Sequence, residues 1–472
     1  MSAIDDVAVS VLKGSLSGPV FTATDEGFET ALAAAVWNAD ITRRPALIAQ
    51  PRSSVEVAAT LAVARQAGVD VTVRGGGHSY AGHAVADDEV MIDLSRMNQV
   101  SVDPEARRVR CGGGATWAAM DAATAEHGFA VPGGFISHTG VAGLTLGGGM
   151  GWLSRRAGLS CDNLVSAEVV TADGRVVTAS EHENPDLFWA LRGGGGNFGV
   201  VTSFEFALHQ VSPMANLGFF FWRAQDARDA LRLARDLIPA LPDEAGGFVA
   251  GLGAPPAPFV PTEHHGIPGF AVAVVNWDTA EEHAKLIAPL QDLKPLFELV
   301  TPIPHVALQQ MFDESAPWGI LGYEKAIYLD SLTDDVIDIM IERLPAKEST
   351  SSFTPIFPLG GAYTRMPEDQ TAFGGSRQTQ WAFNITALTT DPQVLDRDRT
   401  WVRDFWAALR PHANSSGSYV NFIADQDEER VRASYGEKYD RLAAIKAIWD
   451  PDNVFHHNAN IRPAVAVDAN GR

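Results

Sequence analysis

An α+β fold in two domains is predicted by three features of the chain. Glycine clusters punctuate short, alternating strands up to about residue 209. After Pro213 those clusters thin out, and longer apolar strands such as Phe219 to Trp222 and Phe270 to Trp277 alternate with amphipathic helical patterns, as expected for a sheet with one face under helices. The length, 472 residues, also exceeds what one ordinary core organises. The expected division is 1–209, then 210–415 as an antiparallel sheet covered by helices on one side, then a tail, 416–472, whose role needs an external clue. No internal repeat or low-complexity segment is present.

Taken in order, Pro45 to Gln50 reads as extended, and Ser53 with Glu56 forms a capping box that opens a helix through about Ala67. Asp70 to Arg74 is the next strand and runs directly into Gly75-Gly76-Gly77-His78-Ser79. Short strands follow at Val90 to Leu94, Val100 to Asp103 and Arg107 to Cys111, each bounded by turn residues. A helix near Thr116 to His127 leads to a second glycine-rich stretch, Gly140 to Gly151. A hairpin turns on Ala172-Asp173-Gly174. Asn184 with Pro185 supplies an N-cap and first-turn proline for a short helix ending near Arg192, and Phe198 to Ala207 is a strand. Beyond it, helices are expected near Ala227 to Ile238, Ala280 to Leu290 and Asp334 to Leu344. The tail from Tyr419 reads as a strand, then a helix with Leu442, Ile445 and Trp449 on one face, then the turn Asp450-Pro451-Asp452-Asn453.

Composition narrows the partners. Lys and Arg number 36 against 58 Asp and Glu, a net charge of −22, and such a field repels phosphate backbones and anionic lipid. Neither nucleic acid nor membrane is expected as a partner, and the pattern suggests no metal site. The N-terminus lacks a basic segment and an apolar run, so the cytoplasm is the expected compartment. Two cysteines, Cys111 and Cys161, make no disulfide framework. The oligomeric state is left open.

The chemistry lies in the glycine loops. A strand ending in Gly75-Gly76-Gly77 offers successive backbone N–H groups without Cβ obstruction, the geometry in which a main chain closes on a pyrophosphate. Tight turns use glycine too, but the second stretch holds six glycines from Gly140 to Gly151 and little polar side-chain content, so whatever it binds is contacted by backbone. Neither loop carries the Lys-Ser/Thr of a P-loop or a GxGxxG between strand and helix. Together they point to a dinucleotide phosphate held outside a Rossmann site.

The string Arg74-Gly75-Gly76-Gly77-His78-Ser79-Tyr80 resembles the flavinylation motif of the vanillyl-alcohol-oxidase (PCMH-type) FAD enzymes, especially their berberine-bridge-enzyme-like branch. The likeness continues through Gly143 to Leu153, Gly158 to Leu164, Leu191 to Thr202, Tyr419-Val420-Asn421 and Asn458-Ala459-Asn460-Ile461, covering residues 40–210 and 415–463. It implies FAD bonded at its 8α carbon to His78, whose imidazole is substantially neutral near pH 7 and nucleophilic. It also implies that the two terminal segments form one FAD domain. By the same resemblance Arg74, Gly75, Gly76, Gly77, Ser79, Thr139, Gly140, Gly143, Gly147, Gly148, Gly149, Asn163, Val201, Tyr419, Asn421 and Asn458 bind the cofactor.

The sequence departs from the family in two places. Many relatives add a cysteine tether where this chain has Ile136-Ser137-His138-Thr139, so a single bond through His78 is expected. The family often follows Tyr-x-Asn with a tyrosine that deprotonates the substrate, and Phe422 stands there instead. The candidates for catalysis are therefore Tyr419, Tyr363 and His138, with Tyr323 and Glu324 beside them, and Asn421 as a hydrogen-bonding group near the flavin ring. Trp318, Trp381 and Phe383 are candidates for an apolar substrate wall. The resemblance implies hydride transfer from a small alcohol or amine to flavin N5 and reoxidation by O2 giving peroxide. Two alternatives stay open: a dehydrogenase using another acceptor, and a noncatalytic ligand-binding flavoprotein.

Overall fold

The computed structural model describes residues 4–413, 417–424 and 427–465. The expected boundary at 415/416 and the first three residues lie outside them.

The first sheet holds β1 (Val20–Thr22), β2 (Leu47–Ala49), β3 (Val71–Arg74) and β4 (Val90–Asp93) in the order β1-β2-β4-β3. β4 runs parallel to both β2 and β3. The crossover from β2 to β3 is the helix Ser54–Ala67, which begins where Ser53 accepts a hydrogen bond from Glu56 N–H and ends on Gly68 in the left-handed region. Only half of the expected capping box forms. The Glu56 carboxylate takes the N–H of Arg52, 2.8 Å away, and the N–H and hydroxyl of Ser17, so it ties the N-terminal segment to this helix.

The second sheet contains β5 (Val100–Asp103), β6 (Arg108–Gly112), β8 (Leu164–Val170), β9 (Val176–Ser180) and β10 (Val200–Ala207), all antiparallel in the order β5-β6-β10-β8-β9. A two-stranded pair joins β7 (Phe129–Ala130) to β11 (His209–Gln210). The helix Pro185–Leu191 forms as expected, but Asn184 does not cap it: its backbone is left-handed and its Nδ2 donates to Thr178 O at 2.7 Å.

Seven antiparallel strands make the third sheet: β12 (Met214–Arg223), β13 (Ala245–Gly253), β14 (Pro268–Asn276), β15 (Phe297–Pro304), β16 (Leu321–Leu329), β17 (Thr354–Leu359) and β18 (Gln380–Thr389), ordered β15-β12-β14-β13-β17-β18-β16. Helices Arg228–Leu237, Ala280–Asp292, Asp334–Arg343 and Pro392–Leu409 cover one face, packing Leu231, Leu290, Met340 and Phe405 onto Phe220, Val272, Ile327 and Phe383. The alternate side chains of the same strands face the other way, toward the cavity described below.

Among the described residues the tail has no strand after Tyr419; Val420–Phe422 is a short 3₁₀ turn. The helix Tyr439–Trp449 does form, and Tyr439, Leu442 and Ile445 pack into the core that contains Leu187, Phe188 and Phe198. A fully buried ion pair, Lys446 with Asp450, fixes it there. Lys446 Nζ donates to Asn197 O at 2.7 Å and Phe455 O at 2.9 Å, and the Asp450 carboxylate accepts Val454 N–H and Phe455 N–H, which explains the Asp-Pro-Asp-Asn turn. No helix among the described residues is long and apolar enough to cross a membrane.

Candidate active site

The two glycine loops meet backbone to backbone. A Cβ on Gly76 would lie 2.2 Å from Gly140 N, and one on Gly140 would lie 2.5 Å from Gly76 Cα, a crossing only glycine permits. The second loop is no loose stretch: Gly140 opens the helix Val141–Gly147, whose first N–H groups lack intrahelical acceptors. Around the crossing lies a cavity of about 1230 Å³, lined by Gly75 to Ser79, Thr139, Gly140, Gly143, Val201, Tyr419, Asn421 and Asn458. No Lys or Arg lines it among the described residues.

The cradle fits an extended dinucleotide. Gly143 and Gly196 both face the cavity, and a Cβ on either would meet no atom within 4 Å, so backbone is laid open to a ligand there. Asn458 Oδ1, also at the wall, is buried without a partner.

Several expected cofactor contacts stand back from the cavity. Arg74 turns away, pairing with Asp93 at 3.3 Å and donating to Ala34 O at 3.2 Å, because a buried guanidinium at the end of β3 needs a carboxylate. Asn163 uses Nδ2 on the carbonyls of Ala157 and Leu159 and Oδ1 on His209; it braces a turn. Gly147, Gly148 and Gly149 lie behind the lining and admit other side chains. A Cβ on Gly147 would strike Asn421 at 2.2 Å, one on Gly148 would strike Phe373 at 2.8 Å, and Gly149 N–H donates to the Tyr419 hydroxyl at 2.8 Å.

His78 sits at the end of the first loop, stacked on Trp37 at 5.2 Å between centroids and edge-on to Trp318 at 5.6 Å. Its Nε2 is 2.7 Å from His138 Nδ1. Burial, with His138 and Arg74 adding to it, pulls the His78 pKa down to about 3, so the ring is neutral at physiological pH. In the tautomer in which Nε2–H donates to His138 Nδ1, the lone pair on His78 Nδ1 is the nucleophile. His138 does not line the cavity; it stands behind His78.

Of the remaining candidates, Tyr419 and Asn421 come together: Asn421 Nδ2 donates to the Tyr419 hydroxyl at 2.8 Å and to Leu144 O at 3.1 Å. Burial raises the Tyr419 phenol above its ordinary value, so it stays protonated near neutrality and is a donor rather than a base. Tyr363 is outside the cavity, fully buried, with its hydroxyl donating to Ser376 O and accepting from Gln380. Tyr323, Trp381 and Phe383 belong to the core under the helices, because odd-numbered positions of β16 and β18 face that side. Phe422 lines the cavity. Glu324 does as well, accompanied by Tyr80, Trp37 and two residues that sequence reasoning passed over, Asn384 and Thr386. The signal for that pair was polar residues at alternate positions of an otherwise apolar strand.

Two further features border the site. Asp162 and Arg377, each 2% exposed, form a two-bonded ion pair at 2.8 and 2.9 Å that joins the turn before β8 to the segment before β18. Asp70, His456 and His457 bring ligand-type atoms within 4.8 Å of one another, but His457 already lies 2.6 Å from Glu89 and His456 3.6 Å from Asp70.

Comparison with known proteins agrees with this geometry. Residues 45–180 match the family model described as FAD binding domain, and 418–462 the model described as berberine and berberine like. The chain is 31% identical over 464 residues to (R)-6-hydroxynicotine oxidase of Paenarthrobacter nicotinovorans, covering 95% of this chain and 97% of that one. The crystal structure of 6-hydroxy-D-nicotine oxidase from Arthrobacter nicotinovorans superposes with a TM-score of 0.84 at 27% identity, over 95% and 99% of the two chains. Xylooligosaccharide oxidase from Myceliophthora thermophila C1 superposes with a TM-score of 0.83 at 25% identity, over 97% and 100%. The chain belongs to the berberine-bridge-enzyme-like family of FAD-linked oxidoreductases, with the PCMH-type FAD-binding fold. That membership makes it an enzyme rather than a noncatalytic flavin carrier.

Proposed function

We propose that this oxidoreductase carries FAD covalently through His78 alone and oxidises a small alcohol or amine, with O2 as the final acceptor. The observation that carries the reading is His78 itself: a neutral imidazole at the cradle's edge, with one nitrogen held by His138 and the other available. The absence of a second bond is supported by the cysteines, since neither Cys111 nor Cys161 lines the cavity and burial pushes the Cys111 thiol up to about 12. FAD bound here would supply the hydride acceptor, N5 of its ring, and a route by which O2 takes up two electrons and two protons to give H2O2.

The chain's own residues do the rest. Main-chain N–H groups of the crossed glycine loops bind the pyrophosphate, since no cationic side chain lines the cavity among the described residues. His138 fixes the tautomer and direction of His78. Tyr419 lines the cavity, its protonated hydroxyl held by Gly149 N–H and Asn421 Nδ2. Aromatic walls, among them Phe135, Phe357 and Phe422, exclude water. The named oxidases among the relatives support O2 as acceptor.

An anaerobic panel of small alcohols and amines tests the reading. At least one member is expected to bleach the flavin, with peroxide formed in step with product once air is admitted. Bleaching that persists in air without peroxide identifies the dehydrogenase alternative, and no bleaching by any member contradicts the substrate class.

A further inference from the structure

Strands β16 and β18 place three buried polar side chains on the cavity face of the third sheet. Glu324 pairs in register with Thr386, and Ala326 with Asn384, so Glu324, Asn384 and Thr386 share one face. They are 1%, 3% and 1% exposed and all line the cavity. Asn384 Nδ2 donates to Glu324 Oε2 at 2.8 Å. That leaves Glu324 Oε1, Asn384 Oδ1 and Thr386 Oγ1 buried and without partners. Buried acceptors left unpaired in a folded protein are costly, and three together mark a place that a donor is meant to fill.

The location ties this cluster to the reactive end of the cavity. Tyr80 packs against Gly322 on β16 and is the titratable group whose phenol feels the charge of Glu324. The ring of Trp37 joins Tyr80, at 4.9 Å, to His78, at 5.2 Å. The polar floor therefore adjoins the histidine end of the cavity.

We propose that Glu324, Asn384 and Thr386 form the subsite for a substrate amino group, and that the substrate is an apolar primary or secondary amine bound as its ammonium. This deepens the oxidase reading and rests on it. An ammonium brings two or three donors to the three open acceptors, whereas a hydroxyl brings one. Its charge complements the carboxylate, and the net charge of −22 draws cations inward. No Lys or Arg lines the cavity among the described residues, so an anionic substrate has no side-chain counter-charge. Burial alone pushes the Glu324 carboxyl up to about 8, against the lowering effect of Asn384; a cation beside it restores the ionised form.

The test is binding to the holoenzyme of benzylamine and 2-phenylethylamine against the alcohols of the same shape, benzyl alcohol and 2-phenylethanol, read anaerobically from the flavin spectrum and from tryptophan fluorescence. The amines are expected to bind about 10-fold or more tightly than the alcohols. Glu324→Gln keeps the shape and is expected to weaken the amines about 10-fold or more while leaving the alcohols unchanged. Thr386→Val, which keeps the carboxyl, is expected to weaken them about threefold. Alcohols binding as well as amines, amines binding equally to both variants, or no response to either amine would each overturn the proposal. Flavin content, measured first, keeps the two claims apart: protein without flavin speaks against the oxidase reading, and fluorescence still reports the subsite.

Discussion

Gly143 separates the fold from the cofactor. It lies in the first turn of the helix Val141–Gly147, faces the cavity, and a Cβ there would meet no protein atom within 4 Å. For the folded chain alone, Gly143→Ala is expected to be neutral or to stabilise by up to about 1 kcal/mol, the ordinary helical preference of alanine. For the cofactor the same methyl stands where the backbone must be approached, and misplacing bound groups by about 1 Å costs roughly 100-fold in rate. The contrast is Gly76→Ala. There the Cβ begins 2.2 Å from Gly140 N, and reaching ordinary contact at 3.4 Å parts the loops by about 1.2 Å, an overpacking worth about 1–3 kcal/mol or more. Thermal denaturation and flavin per polypeptide, measured on both variants, give the expected pattern: Gly143→Ala melts like the parent with at least ~10-fold less flavin or turnover, and Gly76→Ala melts lower. A Gly143→Ala protein with full flavin and full turnover would refute the assignment of that helix to the cofactor.

Three other outcomes follow from the same geometry. Arg377→Met strands the buried Asp162 carboxylate and is expected to lower stability by about 3–5 kcal/mol in denaturant titration, with the double variant Asp162→Asn/Arg377→Met recovering part of the loss. His138→Ala removes the partner of His78 Nε2 and is expected to slow covalent incorporation when flavin-free protein is incubated with FAD, while noncovalent binding persists. Glu324 gives a pH dependence: its carboxyl binds its proton more tightly folded, at about 8, than at the ordinary 4.5, so its stabilising contribution is complete below about 4.5 and is lost as pH rises to 8. Against Glu324→Gln, the parent's stability should fall by about 1.4 kcal/mol per pH unit across that window; a difference that stays flat with pH contradicts the buried acid.

Local signals in the sequence carried most of the fold. Ser53 did cap its helix, the hairpin turned at Asp173, and apolar runs marked the long strands of the third sheet. Failures came where a polar residue had rival partners. Glu56 and Asn184 found backbone groups other than those local spacing offered, and Asn163, which the resemblance assigned to the cofactor, braces a local turn instead. The glycine loops were legible as backbone-lined sites, but their crossing at Gly76 and Gly140 depends on tertiary packing between segments 64 residues apart in numbering. His78 and His138 were each visible, and their contact was not. Catalytic candidates were hardest, since Tyr323 and Glu324 look equally available in sequence, and only the strand face and its register separate a core phenol from a cavity carboxyl.

The central claim is the bond between His78 and the flavin. Purified protein, precipitated in acid and washed, is predicted to retain its yellow colour, and a proteolytic digest is predicted to yield one flavin-bearing peptide containing His78. His78→Ala is predicted to release all its flavin into the supernatant. Colour lost from the parent protein on precipitation, or flavin on a peptide lacking His78, would contradict the account.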